Sequence, residues 1–153
     1  AEALAAGLAR VGIEAEVLDF PSGDYFESYG GCPAYLREHG IGIIMFGWGA
    51  DFPDGYGFLQ QILDGRAIKP RGNQNMGELD DPEINELLDE GAACSDPVRR
   101  AQIWHRIDRL AMEHAVIVPY LYPRSLLYRA PETRNVLVTG SFGMYDYVAM
   151  GAS

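Results

Sequence analysis

The sequence predicts an α/β fold, and three observations carry that expectation. Amphipathic helical stretches alternate with short apolar runs along most of the chain. The run Gly40 to Trp48 is continuously apolar and bounded by glycines, as a strand buried on both faces would be. Two Asp-Pro helix starts, Asp81-Pro82 and Asp96-Pro97, divide the second half.

Leu4, Leu8 and Val11 recur at helical spacing, giving one apolar stripe on a helix that stops at Gly12. Ile13 to Phe20 then alternates, with Ile13, Ala15 and Val17 on one face and Glu14 and Glu16 on the other, the pattern of a strand with one wet face. Pro21 ends it. Ser22 is placed to cap a short helix, Gly23 to Tyr29, by accepting from the free amides of its first turn, and Gly30-Gly31 closes that helix. The apolar strand ending at Trp48 runs into the turn residues Gly49 to Gly55 and then a helical segment, Tyr56 to Leu63.

Residues 64–80 hold no period and read as a long loop. The helix after Asp81 has a capping carboxylate, proline at its first position and an acidic first turn, and buries Ile84, Leu87 and Leu88. The longest helix follows Asp96 and buries Ile103, Ile107, Leu110 and Ala111. Val116 to Tyr122 is a further apolar strand, broken by Pro119 and closed by Pro123. Shorter strand-like pieces at Leu126 to Arg129 and Asn135 to Val138 lead to a Gly- and Tyr-rich tail.

Composition narrows the function. With 153 residues, 48% hydrophobic and 22% charged, the chain can form one hydrophobic core without disulfides or metals. A net charge of −10, with Lys69 the sole lysine, excludes nucleic acid as a partner and disfavours a membrane surface. The uncharged stretch Gly40 to Ala50 is far shorter than the ~20 residues of a spanning helix. The chain opens at Ala1 within an amphipathic pattern, without a basic or apolar leader, so it reads as beginning inside a helix of something longer. Cys32 and Cys94 fit either one bridge in an exported protein or two buried thiols.

In open α/β sheets ligands gather beyond the carboxyl ends of the strands, which singles out the loop after Trp48. Asp51 there can pair with a ligand ammonium, with Trp48 and Phe52 supplying an apolar wall that excludes water. The alternative is that Asp51 caps the following helix or makes a turn. His39, His105 and His114 read as surface or packing residues; His105 and His114 are too far apart on their helix to share a metal. The carboxylates from Glu78 to Glu90 lack the alternation of a calcium loop and read as a solvated helix face. No nucleophile elbow or phosphate loop is present. The aromatic segments Tyr120 to Tyr122, Tyr128 and Met144 to Tyr147 fit either a pocket lining or a core.

The order of the pieces carries a resemblance. L-A-R-V-G-I-E-A-E-V (Leu8 to Val17), F-G-W-G-A-D-F-P-D (Phe46 to Asp54), D-D-P-E-I-N-E-L-L-D-E (Asp80 to Glu90), S-D-P-V-R-R-A-Q-I-W (Ser95 to Trp104) and A-V-I-V-P-Y-L-Y-P (Ala115 to Pro123) follow one another. In this the chain resembles the carboxyl-terminal portion of the family 5 extracellular solute-binding proteins of peptide, oligopeptide and nickel ABC importers. The resemblance implies part of a mixed-sheet lobe of a type II periplasmic-binding-protein fold. It places residues 1–122 in the carboxyl-terminal ligand-binding lobe and 123–153 in a hinge and return segment to an amino-terminal lobe absent from this sequence.

It also implies that Asp51 matches the aspartate that binds a peptide's α-amino group, with the backbone at Trp48, Gly49 and Ala50 pairing with the extended ligand and Phe52 beside it. The implied function is non-covalent capture of peptides, without enzymatic activity or cofactor. Its implied partners are permease subunits and the amino-terminal lobe, at an extracellular or periplasmic site with a lipid anchor encoded elsewhere. Sugars and metal chelates stand as alternative ligands. A rival is a small hydrolase using Asp51 and Asp54 with a histidine base, which needs a histidine within hydrogen-bond reach of either carboxylate. A third reading is an interaction domain that exposes an apolar face to a partner or to itself.

Overall fold

Two Asp-Pro steps organise the molecule. The computed structural model describes residues 1–49, 51–140 and 143–152. In chain order the helices are α1 (Glu2–Ala9), α2 (Tyr25–Ser28), α3 (Pro33–Glu38), α4 (Tyr56–Leu63), α5 (Pro82–Ala93) and α6 (Pro97–His114), with 3-10 turns at Ser22–Asp24 and Gly65–Ala67. The Asp81 carboxylate accepts from the amides of Glu83 at 2.8 Å and Ile84 at 3.0 Å, so α5 begins where its otherwise unpartnered N–H groups find an acceptor. Asp96 does the same for α6, accepting from Val98 at 2.9 Å and Arg99 at 3.5 Å.

The core is built from α4, α5 and α6. Leu63 of α4, Ile84, Leu87 and Leu88 of α5, and Ile103, Trp104, Ile107 and Ala111 of α6 are buried together. These positions are the helical stripes of the sequence, except that Leu110 is only half-buried and Trp104 joins instead. Outside this stripe, the antiparallel α5 and α6 are tied by ion pairs Glu90 to Arg99 and Glu83 to Arg106 and by the 2.8 Å hydrogen bond between Asp81 and His114. At such exposure water screens each contact, and their role as a set is to fix the register of the two helices.

Residues 64–80 are pinned by side chains. The fully buried Asn75 donates from Nδ2 to the Leu79 carbonyl at 2.8 Å and the Asp64 carbonyl at 3.3 Å, while its Oδ1 accepts from the Leu79 amide at 3.1 Å. Asp64 is buried and receives Arg66 at 2.9 Å, and the same guanidinium reaches Asp89 of α5 at 2.7 Å. The acidic stretch is solvated as expected, with Glu78, Asp80, Glu83, Glu86, Asp89 and Glu90 all exposed, but most of its carboxylates have partners. Glu78, Asp81, Glu83, Asp89 and Glu90 are each paired with a side chain from elsewhere in the chain, Arg37, His114, Arg106, Arg66 and Arg99 respectively.

The predicted strands come out differently. Ile13 to Phe20, Gly40 to Trp48 and Val116 to Tyr122 form neither helix nor strand, and none has a ladder partner among the described residues. A strand needs a neighbour to accept its backbone groups. Their apolar side chains are correspondingly open: Ile43 is 56% exposed, Val118 75% and Tyr122 95%. Tyr120, Tyr128 and Tyr147 are exposed too, so these aromatics serve no core. The observed ladders are short antiparallel pairs, β1 (Thr133–Arg134) with β4 (Gly151–Ala152) and β2 (Val138–Thr139) with β3 (Met144–Tyr145).

At the start of the chain α1 forms as its spacing predicts but buries none of its residues. Pro21, not Ser22, precedes the turn into α2, and no side chain caps that turn. The helix α3, entered through Pro33, leaves no periodic trace in the sequence because six residues give too few repeats. Among the described residues, no helix is long and apolar enough to cross a membrane.

Candidate functional site

The turn residues Asp51 to Gly55 lead from the apolar run into α4, and their two carboxylates have opposite fates. The Asp54 Oδ1 accepts from the Tyr56 amide at 2.9 Å and starts α4, while Oδ2 meets Arg100 Nη2 of α6 at 3.0 Å. The N-cap position of α4 is Gly55, and no side chain caps the helix from it; Asp54, one residue earlier, is the carboxylate that meets the first helical amide. Asp51 is exposed, and among the described residues it makes no hydrogen bond or ion pair.

The loop is braced around that free carboxylate. The Trp48 indole N–H donates to the Gly57 carbonyl at 3.0 Å, tying the end of the apolar run to the first turn of α4. Phe52 stacks on Tyr56 with ring centroids 6.5 Å apart, and Tyr56 in turn meets Trp104 at 6.0 Å. Gly55 lies so close to Trp104 that a Cβ there would sit 2.8 Å from the indole Cδ1. Trp48 is half-buried and Phe52 and Gly49 are exposed, so Asp51 stands between an indole and a phenyl ring along the chain. Ala50, the remaining predicted contact, lies outside the described residues.

A cleft of about 280 Å³ opens just before Trp48, lined by Phe20, Ser22, Tyr25 and Phe26 on one side and Met45, Phe46 and Gly47 on the other. Burial raises the Tyr25 hydroxyl above the ordinary tyrosine range, and that hydroxyl donates to the Met45 carbonyl at 3.4 Å. Sequence reasoning missed this cleft. The available signal was the cluster Phe20, Tyr25 and Phe26 around a Pro-Ser-Gly turn, which brings aromatics from separate elements together.

The histidines are occupied elsewhere. His114 Nε2 lies 2.8 Å from Asp81 Oδ2, and His39 stacks on Tyr35 at 3.9 Å. His105 is exposed on α6. Among the described residues neither Asp51 nor Asp54 has a histidine partner, which is what the hydrolase reading required. Cys32 and Cys94 are free, half-buried thiols.

Comparison with solved structures places this geometry. The chain superposes on "Clavulanic acid biosynthesis oligopeptide binding protein 2" with a TM-score of 0.93 and 46% identity, over 99% of this chain and 28% of that one. It has the fold of a segment of an oligopeptide-binding protein. The α/β class and the resemblance to family 5 solute-binding proteins are borne out together. "Probable di/tripeptide-binding protein 5" of Pseudomonas aeruginosa (strain UCBPP-PA14) is 26% identical over 147 residues, 96% of this chain and 26% of the relative. "Di/tripeptide-binding protein 4" of the same organism is 26% identical over 124 residues, 81% of this chain and 22% of the relative. The chain therefore spans about a quarter of the length of the curated relatives it matches. No protein-family model matches it.

Proposed function

We propose that this chain forms part of the substrate-binding component of a peptide ABC importer, and that Asp51 receives the ligand's α-ammonium. The observation that carries the reading is the contrast between Asp54, held by Arg100 and the Tyr56 amide, and Asp51, which sits in a braced loop yet is free among the described residues. An exposed ion pair contributes little, but an ammonium held between Trp48 and Phe52 loses water on closure and the charge-assisted bond strengthens to about 1.5–3 kcal/mol.

The extended ligand lies along the main chain at Trp48, Gly49 and Ala50, adding as a strand to an edge that has no ladder partner among the described residues. The aromatic cleft ahead of Trp48 suits an apolar ligand side chain. Residues 1–122 belong to one lobe and 123–153 to the hinge and return, and capture is closure of two lobes around a peptide without covalent chemistry. Delivery to permease subunits from an extracellular or periplasmic location follows from the same reading. The peptide-binding names of the relatives support it.

Calorimetry on the full-length protein tests the assignment. Asp51→Ala is expected to weaken binding of trialanine with a free amino group about tenfold or more while sparing N-acetyl-trialanine. Equal losses for both peptides would remove Asp51 from ammonium recognition.

A further inference from the structure

We infer that Arg100 is a positioning residue for the Asp51 loop, an inference that rests on the proposed ammonium role of Asp51. Arg100 and Trp104 lie one turn apart on the same face of α6, and both reach the loop. Arg100 Nη2 pairs with Asp54 at 3.0 Å, and Trp104 packs against Gly55. The guanidinium is itself braced, since Nη1 donates to the Cys94 carbonyl at 3.3 Å, where α5 ends. The pair is partly shielded, with the Asp54 side chain 19% exposed and that of Arg100 35%, so it is screened less than the outer ion pairs of α5 and α6.

Two consequences follow for the site. Arg100 holds Asp54 in the orientation that accepts from the Tyr56 amide at the start of α4, which fixes the turn on which Asp51 sits and keeps Gly57 in reach of the Trp48 indole. It also neutralises one of two carboxylates three residues apart, leaving Asp51 as the free anion of the loop among the described residues. Without Arg100 the Asp54 carboxylate swings free, the turn loosens, and Asp51 no longer stands at a fixed distance from the ligand edge.

The test uses the full-length protein and two independent readouts. The first is the affinity for trialanine. The second is solvent exchange of the Trp48 indole proton, followed by NMR; Trp48 and Trp104 are the two tryptophans of this segment, and each signal is assigned by its Trp→Phe variant. Arg100→Met and Asp54→Asn are each expected to weaken binding about tenfold and to speed Trp48 indole exchange about tenfold. The double variant should be no worse than either single one, and Arg100→Lys should recover both readouts to within about threefold. An unchanged indole exchange rate in Arg100→Met overturns the inference, as does additive loss in the double variant. If the wild type binds free and acetylated trialanine equally, the ammonium reading fails while the indole exchange still decides whether Arg100 orders the loop.

Discussion

Gly91 of α5 lies flat against the six-membered ring of Trp104 on α6, with no room for a methyl group: a Cβ at position 91 would overlap the indole Cη2 and Cζ3 atoms. Close approach of α5 and α6 thus depends on a residue that is otherwise unfavourable in a helix interior, where glycine costs about 1 kcal/mol relative to alanine.

Two effects compete in Gly91→Ala. Helix propensity favours alanine by about 1 kcal/mol, while forcing a methyl into a filled site costs about 1–3 kcal/mol. The indole cannot retreat, because its pyrrole edge is held against Gly55. We expect net destabilisation of up to about 2 kcal/mol in urea denaturation. A more stable variant would mean that Trp104 has space the structure does not show.

Asn75→Ala should cost more than its size suggests. Truncation leaves the Leu79 amide and carbonyl without the Asn75 partner, while the Asp64 carbonyl keeps the Ala67 amide, for a loss on the order of 1–3 kcal/mol. The adjacent Gln74→Ala, at a half-buried position outside this network, serves as the control and should change stability by less than about 0.5 kcal/mol in the same urea titration. Equal losses for the two variants would mean that the Asn75 bonds contribute nothing specific.

The helical half of the molecule was legible in the sequence because its signals are local. Asp81-Pro82 and Asp96-Pro97 announce two helices, and the spacing of Ile84, Leu87, Leu88, Ile103, Ile107 and Ala111 selects their buried faces. Asp51 was legible only as one of two readings, and the carboxylate that meets the first amide of α4 is that of Asp54. The Asn75 latch, the Arg100 brace and the aromatic cleft were not legible, since each joins residues from separate elements with no periodic trace. The apolar runs at Gly40 to Trp48 and Val116 to Tyr122 show the opposite failure: their composition asks for a sheet, but pairing is a property of neighbours and not of the run itself.

Stability should fall in acid through identifiable carboxylates. Arg66 holds Asp64 and Asp89 below the usual carboxylate range, and Asp81 is held down first by the Ile84 amide and also by His114. Each group binds its proton more readily in the unfolded chain, so its contribution is present above the ordinary carboxylate pKa of about 4 and is lost as pH falls toward the folded value. Asp81→Asn is expected to flatten the dependence of melting temperature on pH between about 5 and 2. An unchanged slope would exclude Asp81 as a contributor.

Backbone amides from Val116 to Arg129, other than the prolines, donate no backbone hydrogen bond to a described residue. Hydrogen exchange of the 153-residue chain should find them unprotected while α5 and α6 are protected. In a chain carrying the full length of the oligopeptide-binding relative, the apolar run Val116 to Tyr122 is expected to gain protection by pairing. Equal exchange in both chains would count against a strand role for this run.

The buried core comes from helices that follow one another along the chain, α4, α5 and α6. Contacts between consecutive elements close short loops, so this unit has the low contact order of fast-folding helical domains. The Asp51 loop borders α4, and its braces Arg100 and Trp104 arrive with α6. The Asp51 loop is therefore expected to be ordered as soon as α6 has docked, without waiting for any sheet to assemble around the apolar runs.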